Sequence, residues 1–139
     1  MTAEFSLPVR VYIEDTDAGG IVYYVNYLKY LERARTEFMR WLGFDRAALP
    51  EADRMFVVSQ LNMRYRMPAR LDDQLEATLT LKHLGAATIE FAQSVRRGSE
   101  VLVEGTVEIA SVEHSSGKPR RLSKEMRARL EASGRGELG

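Results

Sequence analysis

Cysteine is absent from this 139-residue chain, and histidine occurs only twice. The first absence removes thiol nucleophiles, disulfides and Cys-type zinc sites; it suits a reducing compartment, so the cytoplasm is the expected location. The second restricts acid–base chemistry. His83 lies near the end of a predicted strand and His114 in the loop Glu113-His114-Ser115-Ser116-Gly117. Neither accompanies a Gly-x-Ser-x-Gly elbow or stands at metal-ligand spacing, so both read as surface residues, and neither a metal nor an organic cofactor is expected. An excess of one charge is also missing, because 20 Lys and Arg balance 20 Asp and Glu. No global field therefore draws the chain to nucleic acid or anionic lipid. No stretch approaches the roughly 20 apolar residues of a membrane span, and the first eight residues lack a basic region leading into an apolar run. A soluble, unprocessed protein is expected.

What is present is the material of one domain, 1–139, without internal repeats or linkers. Val9, Val11 and Ile13 alternate with Arg10 and Tyr12, which predicts a short first strand. From Asn26 the period changes: Tyr27, Leu31, Ala34, Phe38 and Leu42 recur at helical spacing, with charged residues opposite. The spacing predicts one long helix, with Asn26 capping its start and Gly43 at its left-handed end. Beyond Pro50 the period is two. Val57, Ser59, Leu61, Met63, Tyr65 and Met67 predict one strand; Leu75, Ala77, Leu79 and Leu81 a second; Ile89, Phe91 and Val95 a third; Val101, Val103, Val107 and Ile109 a fourth. Short connections make these an antiparallel meander. The expected class is α+β, a curved antiparallel sheet of about five strands wrapped around one long helix. A short helix capped by Ser123 should reach about residue 132, followed by a flexible tail, 133–139. One helix covers only part of such a sheet, so a homodimer or homotetramer is expected to bury the rest.

The candidate chemistry lies in Glu14-Asp15-Thr16-Asp17-Ala18-Gly19-Gly20. As a calcium loop it fails, since Gly19 holds the fifth position and Asn26 the twelfth, where a bidentate Glu belongs. Nor is it a phosphate-binding Walker loop, because no Gly-Lys-Ser/Thr follows. An acidic turn feeding a helix is the plain reading. Asp17, however, stands just before that helix, whose first backbone N–H groups suit the oxyanion of an attacked thioester carbonyl. Attack by Asp17 itself would give an anhydride; alternatively Asp17 acts as general base on water.

The run from Val9-Arg10-Val11-Tyr12 through Asp15-Thr16-Asp17-Ala18-Gly19-Gly20-Ile21-Val22-Tyr23, then Asn26-Tyr27 and Glu32-Arg33-Ala34-Arg35-Thr36-Glu37, resembles the hot-dog acyl-CoA thioesterases of the YbgC-like, Tol-Pal-associated group and their relative 4-hydroxybenzoyl-CoA thioesterase. The likeness resumes at Tyr65, at Pro68-Ala69-Arg70-Leu71-Asp72-Asp73 and at Lys118-Pro119-Arg120. It implies a hot-dog fold with the active site at a dimer interface, Asp17 as catalytic carboxylate, and the backbone N–H of Tyr24 polarising the thioester. Tyr24 stands where YbgC-like members often carry histidine and hydroxybenzoyl members tyrosine. Residues 68–73 instead resemble the YbgC-like branch. The implied substrate is an acyl-CoA, short-chain or aromatic, with acyl carrier protein as an alternative donor or partner. For the CoA phosphates the candidates are Arg64, Arg66, Arg70, Lys118, Arg120 and Arg121, since guanidinium forks suit phosphate. Tyr23, Asn26, Tyr27 and Tyr30 are candidates for lining the substrate site. A non-catalytic hot-dog module is the rival reading. A hot-dog hydratase is disfavoured because that chemistry uses histidine and neither histidine lies in the loop.

Overall fold

In the computed structural model, which describes residues 4–44 and 52–134, the long helix α1 spans Tyr24–Trp41. Its buried face carries Tyr27, Tyr30, Leu31, Ala34 and Phe38, as the periodicity requires. The start differs from the sequence reading. Tyr23 in extended backbone is the N-cap, no side chain caps the helix, and Asn26 sits inside the first turn. At the other end Gly43 N–H donates to Arg40 O at 2.9 Å and Phe44 N–H to Met39 O at 3.1 Å, the paired bonds of a Schellman motif. Gly43 has a φ of 103° there, which a side chain would strain.

Five strands, β1 (Phe5–Arg10), β2 (Arg54–Tyr65), β3 (Gln74–Leu84), β4 (Thr88–Arg97) and β5 (Glu100–Glu113), form one antiparallel sheet in the order β1-β3-β4-β5-β2. Only β3, β4 and β5 make the expected meander. β2 lies beyond β5, and the segment after it crosses to the opposite side of the sheet, so β1 and β2 are the two edges. The first strand also ends earlier than its alternation suggested. Val9 and Val11 are buried, but residues 13–15 turn in a short 3-10 helix and leave Ile13 76% exposed.

Bulges account for the other departures. Val58 pairs with Ile109 and Gln60 with Glu108, so Ser59 is an extra residue. One inserted residue exchanges the two faces of a strand. Phe56 and Val58, rather than Val57 and Ser59, therefore join Leu61, Met63 and Tyr65 on the side facing α1. A second shift, between Val95 and Arg96, leaves Leu102 and Val103 both buried.

The core lies between α1 and the inner face of β1, β3 and β4, built on Val9, Leu31, Phe38, Leu75, Leu79, Phe91 and Val95. The inner face of β5 and β2 extends past the helix. A second helix, α2 (Lys124–Gly134), closes one end, burying Met126 and Leu130 completely. Ser123 Oγ accepts the Met126 N–H at 3.1 Å, as expected of a cap. The helix runs further than expected, with Ser133 buried and Gly134 helical. The remainder of the expected tail, 135–139, lies outside the described residues.

Arg54 at the start of β2 is 1% exposed. Its guanidinium donates to Ser111 Oγ, Arg120 O and Arg121 O, tying the C-terminal segment to the sheet. Replacing it with a chain of similar bulk, Arg54→Met, would leave those carbonyls without that donor. A loss of about 2–4 kcal/mol is expected by urea unfolding, at unchanged denaturant slope.

Candidate active site

The segment between β1 and α1 folds as a small hairpin whose tip carries Asp17. Thr16 bridges Val22 across it, Asp17 N–H donates to Ile21 O at 2.9 Å, and Gly20 N–H closes the turn on Asp17 O at 3.0 Å. Gly20 has a φ of 78°, which explains a glycine at that position. The Asp17 side chain is exposed. Its Oδ1 accepts the Gly19 N–H at 2.8 Å, an Asx turn that holds the carboxylate at the tip and leaves Oδ2 with no protein donor among the described residues. A Cβ at Gly19 would lie 3.3 Å from Oδ1, so this glycine admits the carboxylate to the turn.

A second layer holds the hairpin from beneath. Val22 N–H donates to Ala69 O at 2.9 Å, Ile21 bridges Arg70, and Val11 exchanges bonds with Asp72 and Asp73. The 68–73 turn is itself pinned. The Asp73 carboxylate accepts the Arg70 N–H at 2.9 Å and the Arg97 guanidinium at 2.6 Å. Burial alone would push this carboxyl up, but those two donors outweigh it and hold it below the usual range. Its contribution to stability is therefore present above the ordinary aspartate range and lost as pH falls through the depressed folded value.

The hairpin delivers the chain directly into the first turn of α1. No side chain caps that turn, and the N–H groups of Tyr24 and Val25 have no intrahelical acceptor by geometry. A helix start of this kind favours an oxyanion. Tyr24, 57% exposed, stands edge-on to Tyr65 at 6.0 Å between ring centroids, and Tyr23 packs on Tyr24 at 5.0 Å. These rings make an open aromatic wall beside the helix start.

Asn26 and Tyr27 are placed differently from Tyr23 and Tyr24. Both are buried; Tyr27 Oη accepts the Ala69 N–H at 2.9 Å, and Asn26 Nδ2 donates to Asp15 Oδ1 at 2.8 Å. In this chain they brace the site from below rather than line an open surface. Tyr30 is likewise buried.

The arginine candidates fall into two groups at opposite ends of β2. Arg64 and Arg70 are exposed at the Tyr65 end, near the hairpin, while Arg66 pairs with Glu104 at 2.8 Å. Arg120 and Arg121 lie at the Arg54 end, with the Arg120 guanidinium donating to Ala52 O. Within one chain Arg70 is near Asp17, whereas Arg120 and Arg121 are not. Sequence reasoning missed Asp15 as the buried partner of Asn26. Asn26 shares a helix face with Tyr30, four residues on, which signals that it faces inward, but no local pattern marks Asp15 as its partner. Among the described residues no cluster of three or more His, Asp or Glu side chains is arranged to hold a metal ion, and no helix is long and apolar enough to cross a membrane.

One further opening lies where the sheet outruns the helix. Val25, Leu28, Leu31, Val58, Leu61 and Val107 line a mostly apolar cleft of about 270 Å³, with Lys29, Glu32 and Arg35 at its border. Burial pulls the Arg35 guanidinium below its usual range, and Gln93 accepts from it at 2.8 Å.

A five-stranded antiparallel sheet folded around one long helix, with an acidic hairpin feeding the helix start, is the hot-dog arrangement of thioesterases. The family model of the thioesterase superfamily matches residues 19–108, and the chain belongs to that family. It is 44% identical over 125 residues to the acyl-CoA thioesterase YbgC of Haemophilus influenzae, covering 89% of this chain and 92% of that protein. It is 40% identical over 124 residues to the acyl-CoA thioester hydrolase YbgC of Escherichia coli O6:H1, covering 88% and 92%. A crystal structure of a probable thioesterase from Bartonella henselae superposes with a TM-score of 0.81 at 34% identity, over 87% of this chain and all of that one.

Proposed function

We propose that this chain hydrolyses acyl-CoA thioesters carrying short-chain or aromatic acyl groups, with Asp17 as the working carboxylate. The observation that carries the reading is the juxtaposition of an exposed carboxylate, fixed in orientation by Gly19 N–H, with an uncapped helix start at Tyr24, seven residues further on. A thioester carbonyl seated against the Tyr24 N–H has its developing oxyanion stabilised there. Asp17 then takes a proton from the attacking water, the tetrahedral intermediate collapses with cleavage of the C–S bond, and the thiolate is protonated on leaving. Direct attack by Asp17, with an anhydride hydrolysed in a second step, uses the same geometry. The YbgC relatives support an acyl-CoA substrate; the aromatic wall of Tyr23, Tyr24 and Tyr65 favours an aromatic acyl group as the second reading.

The working unit in this reading is a pair of chains joined at β2. The other edge is blunted, since β1 has only six residues and contains Pro8. β2 has twelve residues with no proline or glycine, and Val58 and Leu61 on its inner face are 53% and 43% exposed. Antiparallel pairing about the middle of β2 sets one chain's Arg54 end beside the other's Tyr65 end. The partner's Arg120 and the partner's Arg121 then approach Asp17, joining Arg70 around one substrate. This supports both arginine groups as phosphate partners, and a homodimer as the smallest active species.

A panel of aliphatic and aromatic acyl-CoAs with a free-thiol readout tests the reading. Thiol release in the presence of EDTA is expected, with at least one chain-length or aromatic preference. Absence of thiol release from every acyl-CoA and acyl carrier protein thioester would instead favour a binding module.

A further inference from the structure

Two aspartates stand two residues apart on the hairpin, and the fold treats them oppositely. Asp17 is exposed, whereas Asp15 is 5% exposed and surrounded by donors. Its Oδ2 accepts the Tyr12 N–H at 2.9 Å, its Oδ1 accepts Asn26 Nδ2 at 2.8 Å, and its main-chain oxygen accepts the Tyr23 N–H at 2.9 Å. The Tyr30 hydroxyl faces the same carboxylate without closing a bond of normal geometry. Burial, and then Asp15 itself, push that hydroxyl well up, so it stays an O–H. Asn26 is also buried, at 7% exposure, in the first turn of α1.

We propose that Asp15 is a positioning residue for hydrolysis: through Asn26 it fixes the angle between the hairpin tip carrying Asp17 and the helix start carrying the Tyr24 N–H. The inference rests on Asp17 being the working carboxylate. The two groups that must converge on one carbonyl lie on different elements, joined by the exposed turn 18–20 and residues 21–23. The Asp15–Asn26 bond is a direct, buried side-chain link between those elements. A buried carboxylate is a costly way to fill space, and an apolar pair would pack the position at lower desolvation cost. What the polar pair adds is direction, because each oxygen is committed to one donor. Orientation of this kind governs rate more than affinity, and a displacement of about 1 Å costs on the order of 10²-fold.

The test compares Asp15→Asn, Asn26→Asp and the double exchange Asp15→Asn/Asn26→Asp in the full chain. kcat, KM and thermal melting are measured with an acyl-CoA that the natural protein turns over. In Asp15→Asn the side-chain oxygen can still accept the Tyr12 N–H, but the new NH2 group meets the Asn26 amide and the charge-assisted bond to Asn26 is lost. The expected result is a kcat lowered on the order of 10²-fold with KM within about threefold. In the double exchange the amide at position 15 accepts from Tyr12 N–H and donates to the carboxylate at position 26, so the link is remade with reversed polarity. Its kcat is expected to recover to within about tenfold of the natural protein. A natural kcat in Asp15→Asn would overturn the proposal. So would a double exchange with natural melting that is as inactive as Asp17→Asn, since the carboxyl at 15 would then act in the chemistry itself. If Asp15→Asn fails to fold, Asn26→Ala decides: a fall in kcat at constant KM supports the link, and an unchanged kcat overturns it. Failure of the underlying reading is separable, because turnover retained by Asp17→Asn is read with residues 15 and 26 intact.

Discussion

The Asp17→Asn protein is expected to fold normally and to lose almost all thioester hydrolysis, with kcat lowered by at least about 10²-fold. The exchange keeps the shape of the side chain, and its oxygen still accepts the Gly19 N–H that holds the turn. The rest of the hairpin is held by main-chain bonds from Asp17, Gly20 and Val22. Melting should therefore shift by no more than a few degrees, within about 0.5 kcal/mol of the natural protein. What disappears is the anionic oxygen proposed to take a proton from water or attack the carbonyl. A parallel fall in activity and stability would make the residue architectural.

Leu61→Arg should be the most damaging change at a position distant from the hairpin tip. Leu61 is 43% exposed in one chain, so a single copy accommodates an arginine there. Between two copies joined at β2 as proposed, each new guanidinium would be buried without a partner, at a cost of several kcal/mol. Light scattering is expected to report single chains at micromolar concentration. Turnover should fall by an order of magnitude or more, because the proposed pair, which would bring the partner's Arg120 and the partner's Arg121 to the substrate, is lost. Near-natural turnover by a demonstrably single-chain Leu61→Arg protein would remove the shared site.

The parts of this fold that were legible in the sequence are those where one face of an element is continuously buried. Leu75, Ala77, Leu79 and Leu81 in β3, and Tyr27, Leu31, Ala34 and Phe38 in α1, are read by period because each faces the same core. Periodicity misled wherever a strand slips by one residue. The bulge at Ser59 moves Val57 to the outer face and brings Val58 inward, and no local residue preference marks it. Strand order was equally hidden, since the crossing from β2 to the far edge depends on which surfaces remain uncovered after collapse. Asn26 shows why the helix start was misplaced. Its residue type suits a cap, but its side chain is used by a carboxylate eleven residues earlier, a long-range contact that overrides local propensity. For the site, the loop and its two aspartates were legible; which one is open and which is buried was not. That distinction is made by Tyr30 and Asn26 arriving on the helix face above Asp15.

The most direct measurement is a crystal structure of the Asp17→Asn protein holding an intact acyl-CoA. The account expects the thioester carbonyl oxygen about 3 Å from the Tyr24 N–H, with the side chain at position 17 facing the carbonyl carbon or a water beside it. A thioester bound away from the first turn of α1, with position 17 facing empty solvent, would contradict it.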